Sequence, residues 1–164
     1  MADDALLISA QSLGVALKQR GLMLALAESC TGGMAAQAIT SVAGSSAWFD
    51  RGFVTYSNLA KIEMLRVSPD TLENFGAVSE SVAKEMALGV LKASHAHLAA
   101  SVTGIAGPDG GSVNKPVGMV CFAFASRNAQ AISITQHFQG SREQIRQQAT
   151  AYMLSALVQH LLAC

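Results

Sequence analysis

The stretch Leu22-Met23-Leu24-Ala25-Leu26-Ala27-Glu28-Ser29-Cys30-Thr31-Gly32-Gly33 constrains this chain more than any other. An apolar run of strand length stops at a cluster of small and reactive side chains, and the helix-forming segment Met34-Ala35-Ala36 follows at once. A buried strand, a tight turn and a helix N-terminus fit that order, with Glu28, Ser29, Cys30 and Thr31 displayed at the turn. A strand this uniformly apolar is buried on both faces, which calls for a sheet covered by helices. The composition agrees: 51% of the 164 residues are hydrophobic, only 13% are charged, and aromatics are scarce. A length of this order fits one domain with its own core, spanning 1–164.

The flanking segments supply the helices and the remaining strands. Asp3 to Arg20 carries apolar residues at a helical period and ends on Lys18-Gln19-Arg20 before Gly21, which are C-terminal signals. A helix from about Gly32 to Thr40 follows the opening turn. Trp48 to Tyr56 reads as a strand, with Ser57 or Asn58 capping a helix from Leu59 to Leu65. Ser68-Pro69-Asp70 opens a short helix, and Ser79 caps a longer one through about Ser94. Leu98 to Val102 is a short buried strand running into the loop Thr103 to Ser112. Val117 to Ala125 and Ala131 to Phe138 alternate as a hairpin around Arg127-Asn128, and Ser141, with Gln144 as a capping-box partner, starts a last helix reaching about Leu162. Five strands among about six helices predict an α/β protein, a three-layer α/β/α sandwich with a mixed sheet.

Several classes are disfavoured. No apolar run approaches the roughly 18–20 residues that span a bilayer, and Met1-Ala2-Asp3-Asp4 lacks the basic lead of a signal peptide. Three scattered cysteines, Cys30, Cys121 and Cys164, suit free thiols in a reducing cytoplasm. Eleven basic residues balance eleven acidic ones without a basic run, so a nucleic-acid partner is not expected. The mean hydropathy of +0.34 is high for a chain without a membrane span and suggests surface buried between subunits, in a homo-oligomer such as a dimer or trimer.

At the turn, Ser29 is either a helix cap or a nucleophile whose oxyanion faces free amides at the helix N-terminus. Cys30 competes with it, since thiols at helix N-termini ionise readily. A serine needs a base, and His95, His97, His137 and His160 are all poorly placed: none lies where a strand runs into a loop. None has convincing metal spacing, so no metal is expected. Lys61 stands in the first turn of a helix, where the macrodipole disfavours a cation, and a residue that breaks a local rule is a candidate for function. Tyr56, just before it, could orient the lysine or stack on a ring. The glycines of the Thr103–Ser112 loop allow close backbone approach to an anion. Arg142 and Arg146 start the last helix one turn apart, and Arg142, nearer the helix start, ranks first as a phosphate ligand.

Six blocks recur together in a known order: Ala27-Glu28-Ser29-Cys30-Thr31-Gly32-Gly33, Gly44-Ser45-Ser46, Gly52-Phe53-Val54-Thr55-Tyr56-Ser57-Asn58-Leu59-Ala60-Lys61, Gly76-Ala77-Val78-Ser79, Ser101-Val102-Thr103-Gly104-Ile105-Ala106-Gly107-Pro108-Asp109-Gly110-Gly111 and Lys115-Pro116-Val117-Gly118. They resemble the CinA C-terminal-domain family in its stand-alone form. The resemblance implies a nicotinamide-nucleotide amidase, which turns nicotinamide mononucleotide into nicotinate mononucleotide and ammonia during pyridine-nucleotide recycling. It implies Ser29 as nucleophile, Lys61 as its base, and Tyr56 and Thr103 in the site, with no cofactor. It also implies that the larger N-terminal domain of two-domain relatives, and its activity, are absent. Substrate contacts are expected from Glu28, Cys30, Thr31, Gly32 and Gly33 at the turn, from Gly104 and Gly107, and from Arg142. The rival classes are a non-catalytic nucleotide-binding or regulatory module and an amidase for another small amide.

Overall fold

The computed structural model describes residues 2–162; Met1, Ala163 and Cys164, the third cysteine, lie outside the described residues. Its elements in chain order are α1 (Ala2–Arg20), β1 (Leu24–Glu28), α2 (Met34–Thr40), a 3-10 turn (Ser45–Ala47), β2 (Phe49–Val54), α3 (Asn58–Leu65), α4 (Pro69–Phe75), α5 (Glu80–Lys92), β3 (Leu98–Gly104), β4 (Met119–Ser126), β5 (Ala129–His137) and α6 (Arg142–Leu162). The sheet order is β2-β1-β3-β4-β5. The first three strands are parallel and the last two antiparallel, so the sheet is mixed as expected.

Strand periodicity divides the core in two. Leu24 and Leu26 pack with residues of α1, α2 and α6 on one face. Ala25 and Ala27 pack with residues of α4 and α5 on the other. These are the outer layers of the three-layer sandwich. Close backbone approach sets the spacing on each side. A Cβ at Gly14 would lie 2.7 Å from the Trp48 ring, which seats α1 beside the start of β2, and one at Gly89 would lie 2.1 Å from the Leu65 carbonyl, which lets α5 press against the end of α3.

Where boundaries differ from expectation, the reason is local. The second helix begins at Met34 rather than Gly32 because Gly32 and Gly33 take φ of 57° and 102°, outside the helical region. Thr103 and Gly104 belong to β3, not to a loop, because they pair with Cys121 and Val120 on β4. Thr55 and Tyr56 lie just beyond the end of β2. The expected capping box is present: the Ser141 amide donates to Gln144 Oε1 at 2.8 Å and the Gln144 amide to Ser141 Oγ at 3.2 Å.

The connections matter for function. β1 lies inside the sheet between β2 and β3, and β1 and β2 are followed by helices on opposite faces of the sheet. Such a switch point opens a crevice at the carboxyl ends of the strands. Gly89→Ala tests the close contact behind it. Overpacking there is expected to cost about 1–3 kcal/mol and to lower the thermal midpoint by several degrees; an unchanged midpoint would contradict the contact.

Candidate active site

The alternation that sorts the core also sorts the reactive turn. Following Ala25 and Ala27, Ser29 continues on the α5 side of the sheet, while Glu28 falls on the side of α2. Glu28 is 1% exposed, and both of its carboxylate oxygens accept hydrogen bonds. Oε1 accepts from the Thr31 hydroxyl at 2.6 Å and the Ala35 amide at 3.0 Å, and Oε2 accepts from the Ala36 amide at 2.9 Å. A carboxylate on the first amides of α2 suits the helix dipole. These helix amides are therefore not free for an oxyanion.

Ser29 meets a lysine on the other face. The Ser57 hydroxyl accepts from the Ala60 amide and starts α3, which carries Lys61 inward until it is 1% exposed. Lys61 Nζ donates to Ser29 Oγ at 3.0 Å and to the Thr55 carbonyl at 2.8 Å. Among the described residues no carboxylate forms an ion pair with Lys61. Burial holds the Lys61 pKa below its ordinary 10.5, with the neighbouring Cys30 sulfur opposing the effect. A neutral Nζ keeps the lone pair that can take the serine proton.

Around this pair lies a cavity of about 250 Å³ lined by Ser29, Cys30, Tyr56, Lys61, Thr103 and Arg142, with Asn58, Ala77, Val78, Gly104 and Ala106. Thr103 is 1% exposed and its hydroxyl donates to the Ala77 carbonyl at 3.0 Å. Arg142 stands at the rim, where Nη2 donates to Tyr56 Oη at 3.0 Å and Nη1 to the Gly107 carbonyl at 2.8 Å. Burial pushes the Cys30 thiol up to about 12, although its own backbone amide and Arg146 act in the opposite direction. At neutral pH it is a protonated thiol, not a nucleophile.

The structure thus gathers Ser29, Lys61, Tyr56, Thr103, Cys30, Gly104 and Arg142 around one cavity. Glu28, Thr31, Gly32, Gly33 and Gly107 do not line it. They support the turn and the rim instead: Thr31 ties to Glu28, and Gly107 holds Arg142. Three participants had little signal in the sequence. Asn58 and the Thr55 carbonyl adjoin Lys61, and their only hint was their place in the long block before it. Arg146 donates from Nε to the Cys30 carbonyl at 3.0 Å and from Nη2 to the Thr31 carbonyl at 3.1 Å. The sequence offered Arg146 only as the second-ranked phosphate ligand, one turn after Arg142, and not as a partner of the turn.

A mixed-sheet α/β protein with a buried serine–lysine pair at the carboxyl end of an interior parallel strand, β1, is the class that fold and site define. The chain belongs to the CinA C-terminal domain family, which it matches over residues 8–161. It is 57% identical over 150 residues to the nicotinamide-nucleotide amidohydrolase PncC of Enterobacter agglomerans, covering 92% of each chain. It is 54% identical over 162 residues to the protein of that name in Escherichia coli K12, covering 99% of this chain and 98% of the relative. A crystal structure of the competence/damage inducible protein CihA from Agrobacterium tumefaciens superposes with a TM-score of 0.91 at 45% identity, covering 94% of both chains.

The thiol state is directly measurable. In the folded protein Cys30 should resist iodoacetamide at mildly alkaline pH and react only after unfolding, as read by peptide mass spectrometry. Rapid alkylation of the native protein would show a thiolate.

Proposed function

We propose that the chain is an amidohydrolase that converts nicotinamide mononucleotide to nicotinate mononucleotide and ammonia through an acyl-enzyme on Ser29, in pyridine-nucleotide recycling. The observation that carries the chemistry is the 3.0 Å contact between Lys61 Nζ and Ser29 Oγ, both buried, at a cavity whose described lining residues include no carboxylate. The substrate class is supported by the names of the near full-length relatives.

In the first half-reaction neutral Lys61 accepts the Ser29 proton as Oγ attacks the carboxamide carbon. The oxyanion needs donors. The Ser29 amide already donates to the Val102 carbonyl and the Gly32 amide to the Ser29 carbonyl, each at 3.0 Å, so we assign the Cys30 and Thr31 amides to this role. The Lys61 ammonium returns its proton to the amine, the C–N bond breaks and ammonia leaves. Thr103 Oγ1 has lone pairs to receive a hydrogen bond from that departing amine. In the second half-reaction water gives a proton to Lys61 and attacks the ester. The C–Oγ bond breaks, Ser29 regains its proton, and the carboxylate product is released. The nicotinamide ring suits the cavity, and Arg142 at the rim is suited to the phosphate, with Tyr56 beside it.

Among the described residues no helix is long and apolar enough to cross a membrane. We place the reaction in the cytoplasm, where free Cys30 and Cys121 stay reduced. A homo-oligomer, dimer or trimer, fits the half-exposed apolar residues Ile132 and Ile134 on the edge strand β5.

Ammonia release from nicotinamide mononucleotide tests the reading. Ser29→Ala and Lys61→Ala should each lower kcat by at least about 10³-fold, and full activity in either removes the assigned role. For the wild type, kcat/KM should fall on acidification as Lys61 gains a proton and loses its lone pair, with a midpoint below the ordinary lysine value of 10.5. Binding of the mononucleotide, seen as a thermal shift, without any turnover would instead favour a non-catalytic nucleotide-binding module.

A further inference from the structure

We infer that Arg146 is a positioning residue, which acts through the nucleophile turn and not on the substrate; the inference rests on the amidase reading above. Arg146 is the fifth residue of α6, 115 positions from Thr31, yet its guanidinium reaches two successive carbonyls of the turn, Cys30 and Thr31. This fork-shaped contact suits arginine and not lysine, because two N–H bonds in fixed geometry set the direction of both acceptors.

Both peptide bonds are trans. In a trans peptide the carbonyl and the following N–H point in opposite directions. Holding the Cys30 and Thr31 carbonyls toward α6 therefore turns the amides of Thr31 and Gly32 away from it. The Gly32 amide closes the turn on the Ser29 carbonyl at 3.0 Å. The Thr31 amide is left facing away from the guanidinium, as an oxyanion donor must.

Two further observations fit a clamp. Gly32 takes φ of 57°, and a Cβ there would lie 3.3 Å from Arg146 Nη2, so the missing side chain makes room for the guanidinium. Among the described residues the salt bridge is Arg51–Asp50, and no carboxylate neutralises Arg146. Its charge is spent on the two carbonyls, which polarises those peptide groups and strengthens their N–H groups as donors. Arg142, one turn earlier, does something different: it ties Tyr56 to Gly107 at the rim.

The test compares wild type with Arg146→Gln, and with Arg146→Lys should the first fail to fold by circular dichroism. With nicotinamide mononucleotide, kcat should drop roughly 10–100-fold while KM stays within about twofold. The acid limb of the pH profile should not move, because Lys61 is untouched. Amides 30–33 should exchange hydrogen faster, and guanidinium ion at non-denaturing concentration should restore part of the activity of Arg146→Ala. A kcat within twofold of wild type, a loss confined to KM, or unchanged amide exchange would each overturn the clamp. If the wild type itself turns over no mononucleotide, the amidase reading fails, and faster exchange of these amides in the variant still decides for the clamp.

Discussion

The site depends on one buried hydrogen bond, between Lys61 Nζ and Ser29 Oγ. An ammonium with no counter-charge is costly in a protein interior, so burial shifts this lysine toward its neutral form. The fold imposes that cost. α3, capped by Ser57 shortly beyond the end of β2, carries Lys61 inward to the face where Ser29 lies. The Thr55 carbonyl, fixed because the Thr55 amide donates to the Glu28 carbonyl at 2.9 Å, supplies the second acceptor that orients Nζ. In the proposed reaction the same burial that destabilises the charge makes the base.

The opposite face of the sheet holds the turn still. Glu28 occupies the first amides of α2, Thr31 binds Glu28, and Arg146 binds the carbonyls of Cys30 and Thr31. An anchor on one side and chemistry on the other follow from the two-residue period of the strand, which sends neighbours Glu28 and Ser29 in opposite directions. Thus the residues around Ser29 divide by role: Lys61, Thr103 and Tyr56 face the cavity, whereas Glu28, Thr31 and Gly32 shape the backbone that presents the serine.

Much of this was legible in the sequence because the signals are local. The apolar run to Ala27, the Gly32-Gly33 pair and the cap at Ser57 each punctuate the chain within a few residues, and Lys61 stood out as a cation in a first helical turn. The strand period could also have separated Glu28 from the cavity, although grouping it with Ser29 at the turn obscured that. What was hidden is non-local. β3 gains Thr103 and Gly104 only through pairing with β4, and the Arg146 contact crosses 115 residues. Arg142 ranked above Arg146 by helix position alone. The structure shows that both are used, one at the rim and one at the turn. The substrate was legible only through the family's motif blocks, since no spacing of polar residues names a nicotinamide ring.

The state of the Lys61 side chain decides the account most directly. Its Nζ and Cε can be followed by nuclear magnetic resonance across pH in lysine-labelled protein, with Lys61→Arg providing the assignment. The account predicts that Lys61 loses its proton below the ordinary 10.5 of a lysine side chain. A Lys61 that keeps its proton up to that value would contradict a neutral base, and with it the activation of Ser29.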